Sequence, residues 1–204
     1  GVIGGTGSGK SSLVNLIPRL YDATQGEVLV DGVNVKDYDI ETLRNKVGIV
    51  MQKAVLFKGT IRENMWMGKK GATDEQIDEA LEISQSKEFG DSKQGRLDYV
   101  IEQGGKNLSG GQRQRLTIAR AIVRKPDVLI LDDSASALDF ATDAALRKAI
   151  RGMNNSPTVF IVSQRAASLM YADLIIVLDD GQVAGMGTHD ELLKSNEIYK
   201  EVYY

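Results

Sequence analysis

Gly4-Gly5-Thr6-Gly7-Ser8-Gly9-Lys10-Ser11 matches the pattern G-x-x-x-x-G-K-[ST]. Glycines let successive backbone N–H groups converge on phosphate oxygens without a Cβ in the way. The helix expected next, Lys10 to Leu20, points its positive end at the same anion and carries Leu13, Leu16, Ile17 and Leu20 on one face. Pro18 falls late in that helix, where it kinks or ends it. Lys10 adds a mobile point charge for the β- and γ-phosphates, and Ser11 offers a hydroxyl to Mg²⁺. The stretch is therefore read as the phosphate loop of a nucleotide-binding domain. Such a loop normally follows a complete buried strand. Only Gly1, Val2 and Ile3 precede it here, so the N-terminal strands are expected to be missing from this sequence.

Working outward, Glu27–Val30 and Val33–Val35 flank Asp31-Gly32, a hairpin signal, and Asp180-Gly181 makes another. Val47–Met51, Val128–Leu131, Thr158–Val162 and Leu174–Leu178 are short apolar strands. Residues 54 to 125 carry helical periodicity instead, as in Asp74–Ile83. Ser109 caps a long helix running to about Lys125, where Pro126 stops it, and a further helix is expected around Ala141–Met153. The alternation predicts an α/β fold with a mostly parallel sheet, formed by 1–53 and 126–204, plus an inserted α-helical lobe, 54–125; together with the loop motif it resembles a P-loop NTPase (RecA-like) core. The whole chain, 1–204, reads as a single domain.

Composition narrows the function class. Of 204 residues, 25 are Lys or Arg and 28 are Asp or Glu, a formal charge of −3, which argues against a nucleic-acid binder held by bulk charge. There is no cysteine, hence no disulfide and no Cys-based zinc site. No apolar run approaches the length needed to span a bilayer.

Leu108-Ser109-Gly110-Gly111-Gln112 opens the long helix. A Ser-Gly-Gly start is a good N-cap and also an anion site, because free N–H groups and the helix dipole point the same way. After it come Pro126 and the apolar strand ending in Asp132-Asp133. Here the sequence resembles the ABC-type ATPases, over essentially its whole length. Leu108–Gln112 is similar to their LSGGQ signature and Val128–Asp133 to their Walker B strand. Ser136-Ala137-Leu138-Asp139 resembles their D-loop, and Gln52 their Q-loop glutamine. Tyr99–Gly105, with Glu102, is similar to the exporter X-loop. Phe57–Asn64 resembles the exporter segment near the transmembrane coupling helices. Met65, Trp66 and Met67 follow it, as lobe core or as part of that contact surface. Arg113, Arg115, Arg120 and Arg124 read as a solvated, salt-bridged helix face, and His189 as a structural residue.

The resemblance implies ATP and Mg²⁺ as ligands. Gly5, Thr6, Gly7, Ser8, Gly9, Lys10, Ser11, Ser12 and Gln52 would hold the nucleotide, with Ser11, Gln52 and Asp132 serving the metal. It also implies that two such domains pair head to tail. Ser109, Gly110, Gly111, Gln112 and Asp139 would then serve the nucleotide of a second ABC nucleotide-binding domain. A transmembrane domain would hold the pair at the cytoplasmic face of the cell membrane.

Two positions depart from the family. Asp133 stands where a glutamate should activate the attacking water, and its shorter side chain misplaces the carboxylate by roughly 1 Å, an error of a kind that costs about 10²-fold in rate. Gln164 takes the slot of the switch histidine; it can hydrogen-bond a γ-phosphate but cannot become cationic. Both catalytic positions are therefore altered while the phosphate loop and signature are intact. This pattern is similar to the degenerate half of a heterodimeric ABC exporter, whose partner, a different chain, carries the intact Glu and His. Two alternatives remain open on these residues: an ATP-dependent dimerisation switch with little hydrolysis, and a non-transport ABC ATPase, for which the long coiled-coil insertions usual in such proteins are not seen.

Overall fold

The structure, a computed structural model, describes residues 1–134 and 136–203. In chain order its elements are β1 (Val2–Gly4), α1 (Lys10–Asn15), β2 (Leu29–Val30), β3 (Val33–Asn34), α2 (Ile40–Lys46), β4 (Val47–Val50) and β5 (Gly59–Thr60). There follow α3 (Ile61–Gly68), α4 (Asp74–Ile83), α5 (Lys87–Ser92), β6 (Val100–Ile101), α6 (Gly110–Ile122) and β7 (Val128–Asp132). The chain continues with α7 (Phe140–Arg151), β8 (Thr158–Ser163), β9 (Ile175–Asp179), β10 (Gln182–Gly187), α8 (His189–Ser195) and α9 (Glu197–Tyr203).

The main sheet has the order β10-β9-β1-β8-β7-β4. β1 pairs in parallel with β8 (Val2 opposite Val162) and with β9 (Ile3 opposite Val177); β10 returns antiparallel to β9. The expected α/β class and mostly parallel sheet are therefore present. Each parallel pairing requires a crossover, and each crossover brings a new strand end beside β1, where the phosphate loop begins.

The chain divides into two compact units. The first comprises Gly1–Val47, Ile130–Asp133 and the residues from Val159 onward. Its core gathers Ile3, Leu169, Ile175, Val177, Leu192 and Tyr199, each at most 2% exposed. The second comprises Gly48–Leu129 and Ser134–Thr158. There α6 packs on α3 and α4, with Ile61, Met65, Ile77, Leu81, Leu116, Ile118 and Ile122 fully buried. Burying side chains of this size is worth about 1.5–3 kcal/mol each. Met65 is thus core, while Trp66 and Met67 are 40% and 51% exposed.

Two helices stop earlier than their apolar periodicity suggests. α1 ends at Asn15; Leu16 and Ile17 then donate to carbonyls only three residues back, because Pro18 has no N–H to continue an α-helical ladder and its ring disfavours that geometry just before it. α6 ends at Ile122, and Lys125, just ahead of Pro126, sits at a left-handed φ of 53°.

The arginines of α6 differ from expectation. They and Arg124, just past the helix end, donate to main-chain carbonyls: Arg113 to Gly105 and Leu108, Arg115 to Gln85, Arg120 to Val55, and Arg124 to Gly68. Loop carbonyls have no ladder partner, and a guanidinium presents five donors to satisfy them. Burial lowers the pKa of Arg120 and Arg124 below the ordinary arginine value.

Candidate functional site

In the first unit, β1 delivers the chain to the loop. Gly4 has no room for a side chain: a Cβ there would collide with the carbonyl of Leu178 and lie 2.5 Å from Ser8 Oγ. Gly5, Thr6 and Gly7 are exposed, as are Ser11 and Ser12, whereas Ser8 is buried. The Ser8 N–H donates to the Gly5 carbonyl at 3.2 Å, curling the loop. Gly9, at φ 94°, is the N-cap of α1 and contributes no side-chain cap. The first N–H groups of α1 are thereby left for an outside acceptor. Lys10 Nζ donates to the carbonyls of Gly4 (2.8 Å) and Gly5 (2.7 Å). Burial pushes its pKa below the ordinary lysine value, opposed by the nearby charges of Asp132 and Asp133.

Asp132 closes β7 and is 8% exposed. Asp133 follows at a left-handed φ of 46°, with its N–H bonded to the Val162 carbonyl at 2.9 Å. That bond holds the end of β7 beside the end of β8. The buried Ser163 then accepts the N–H of Arg165 at 3.0 Å, and Gln164, between them, is exposed. Lys10, Asp132, Asp133 and the turn carrying Gln164 thus belong to one compact unit. His189 is engaged elsewhere: its Nδ1 is hydrogen-bonded to the hydroxyl of the fully buried Tyr199 at 2.8 Å, and its ring packs on Tyr199 and Tyr203.

The second unit carries Gln52, Ser109–Gln112 and Asp139. Gln52 is exposed just beyond β4. Ser109 and Gln112 form a reciprocal capping box: Ser109 Oγ accepts the Gln112 N–H (3.2 Å), and Gln112 Oε1 accepts the Ser109 N–H (2.9 Å). Ser109 and Gly110 are exposed. A hydroxyl that accepts one hydrogen bond still has its own proton to donate, so capping leaves Ser109 able to reach an anion. Asp139 caps α7 by accepting from the N–H (2.9 Å) and hydroxyl (2.7 Å) of Thr142, which holds its carboxyl below the usual carboxylate range. Glu102 is exposed next to β6, where Asn107 accepts its N–H.

Among the described residues no group of three or more His, Asp or Glu side chains is placed to hold a metal. Mg²⁺ does not need one. It binds through one or two protein oxygens together with phosphates and water, and the Ser11 hydroxyl and the Asp132 carboxylate, both in the first unit, are oxygen donors of that kind, while the Gln52 amide belongs to the second.

Several contributors were not apparent from sequence. Gly181 touches the phosphate loop, its N–H donating to the Ser8 carbonyl at 3.2 Å. Arg113 braces the two carbonyls just ahead of Ser109. Asn64, fully buried, bonds both main-chain groups of Phe57 and the carbonyl of Thr60. Only the Asp-Gly turn gave a signal, and that signal was for a hairpin, not for a contact.

Residues 1–136 match the family model described as ABC transporter. The chain is 45% identical over 202 residues to YfiB of Bacillus subtilis, named "Uncharacterized ABC transporter ATP-binding protein", covering 99% of this chain and 35% of that protein. It is 39% identical over 201 residues to a Staphylococcus aureus protein named "Putative multidrug export ATP-binding/permease protein", covering 98% and 35%. A solved structure of a bacterial Atm1-family ABC exporter with ATP bound superposes with a TM-score of 0.93 at 33% identity, over 98% of this chain and 35% of that one. The chain therefore spans about a third of the length of these relatives. With the phosphate loop, the Asp132 strand and the capped Ser109 helix on one P-loop NTPase fold, the chain belongs to the ABC transporter family.

Proposed function

We propose that this chain is the ATP-binding domain of a membrane exporter, and that its own phosphate loop holds MgATP with slow turnover while its signature completes a faster site on a partner. The observation that carries this reading is the pair Asp133 and Gln164, at neighbouring strand ends in the unit that holds Lys10. The loop amides from Gly5 to Ser12 surround the phosphates, and Lys10 leaves its carbonyl acceptors for the more strongly attracting β- and γ-phosphate oxygens. Ser11 and Asp132, in the same unit, would hold Mg²⁺, which would neutralise charge on those oxygens. Asp133 accepts the proton of an attacking water, from a poorer position than a longer carboxylate would. Gln164 donates a neutral hydrogen bond to the γ-phosphate. Both groups support binding better than cleavage.

Ser109–Gln112, with Asp139, faces the nucleotide of a second ABC domain, a different chain with Glu and His at the two altered positions. A transmembrane domain places the pair at the cytoplasmic face of the membrane and couples dimerisation to export; no helix among the described residues is long and apolar enough to cross a membrane. The assembled transporter tests this. Replacing the partner's catalytic glutamate by glutamine should abolish most ATPase activity, and unchanged activity would refute the assignment.

A further inference from the structure

The phosphate loop is flanked by a second segment of its own unit. β9 runs beside β1, and its Leu178 carbonyl abuts Gly4. The chain then reverses through Asp180-Gly181. Asp179 pairs with Gln182, and the two turn residues have φ of 44° and 76°, as a two-residue type I′ hairpin requires. The ladder on either side of such a turn does not use the N–H of the second turn residue. Here that N–H, of Gly181, donates to the Ser8 carbonyl at 3.2 Å. The Gly181 Cα also stands 3.7 Å from where a Cβ on Gly9 would be, ordinary contact distance.

This bond has a directional consequence. The Ser8–Gly9 peptide is planar and trans, so its carbonyl and its N–H point opposite ways. With the carbonyl held toward the hairpin, the Gly9 N–H is turned away from it. Gly9 is the N-cap of α1, so its amide stands with the first amides of that helix, which an anion at the loop would meet.

We propose that the Asp180–Gly181 turn is a positioning element for nucleotide binding: Gly181, through the Ser8 carbonyl, aims the Gly9 N–H into the phosphate cradle. The proposal rests on the reading of Gly4–Ser11 as a phosphate loop. It assigns the hairpin a part in ligand affinity beyond closing the edge of the sheet.

The test is a titration of the protein with Mg²⁺ and a fluorescent ATP analogue, with thermal melts run alongside. Gly181→glycolic acid, introduced by nonsense suppression, replaces the amide by an ester and removes only the N–H. It should weaken binding by about five- to tenfold, on the scale of one hydrogen bond, and lower the melt by no more than a few degrees. The nucleotide-induced shift of the Gly9 amide resonance should shrink with it. Gly181→Asn keeps the N–H and tolerates a left-handed φ, so it should bind like the parent. Ester-variant affinity within about twofold of the parent, or an equal loss in the Asn variant, overturns the proposal. Should the ester variant fail to fold, amide exchange in the parent protein decides: slow exchange at Gly181 supports the brace, and exchange as fast as an open turn overturns it. Lys10→Ala separates the underlying reading. If it leaves affinity unchanged, the phosphate-loop assignment itself fails, whatever Gly181 does.

Discussion

Lys10 is held by two neutral carbonyls, those of Gly4 and Gly5. A phosphate offers it a charged acceptor instead, and a charge-assisted hydrogen bond is worth about 1.5–3 kcal/mol. Lys10→Ala should therefore weaken MgATP binding by about 10- to 100-fold in a calorimetric titration. The pH dependence has a definite sign. Burial lowers the Lys10 pKa, so the ammonium that attracts phosphate is lost earlier than from an ordinary lysine. Affinity should begin to fall below the usual lysine range as pH rises, and Lys10→Arg should remove that limb. Folding stability moves the other way. The unfolded chain binds this proton more tightly, so the unfavourable contribution is full at neutral pH and relieved as pH rises through the lowered value. At Asp133, the left-handed φ of 46° is imposed by the backbone and its bond to Val162. Glutamate tolerates that conformation less well than the shorter aspartate, so Asp133→Glu should lower the melt slightly. It should raise hydrolysis at this loop by up to about 10²-fold in a single-turnover assay.

The helices show how far local pattern reaches. α4 spans Asp74–Ile83, as its periodicity indicates, because Thr73 and Gln76 form a capping box at its start. The hairpins at Asp31-Gly32 and Asp180-Gly181 were legible from their dipeptides, since both residues of each adopt positive φ. The role of the α6 arginines was not legible. Charge spacing along a helix gives no indication that Arg115 meets a carbonyl at Gln85 or Arg120 one at Val55. The segment Ser109–Gln112 has a structural part besides its proposed one. Ser109 is a cap as well as a candidate anion donor, so Ser109→Ala should cost about 1 kcal/mol of stability, measured by denaturant titration, while Ser109→Thr should preserve it. A loss of transport in the alanine variant is interpretable only against that control. Arg113→Ala should destabilise by about 1–3 kcal/mol by leaving two carbonyls ahead of the cap without their donor.

At the scale of the whole molecule, the segment read as a phosphate loop, Asp132, Asp133 and Gln164 lie in one unit, with Gln52, Ser109–Gln112 and Asp139 in the other. Sequence order could not reveal that the β9–β10 turn touches the loop, because that contact joins segments far apart in the chain and is made by backbone groups, which carry no residue signature. The relatives are about three times longer than this chain, and the proposed coupling to transport is tested on the assembled transporter. The central claim is that this loop holds ATP more than it cleaves it. The most direct measurement is photo-crosslinking of labelled nucleotide in the assembled, turning-over transporter, followed by identification of the nucleotide attached to each ATP-binding chain. The account predicts intact ATP on this chain while ADP accumulates on its partner. ADP formed on this chain at the overall turnover rate would contradict it.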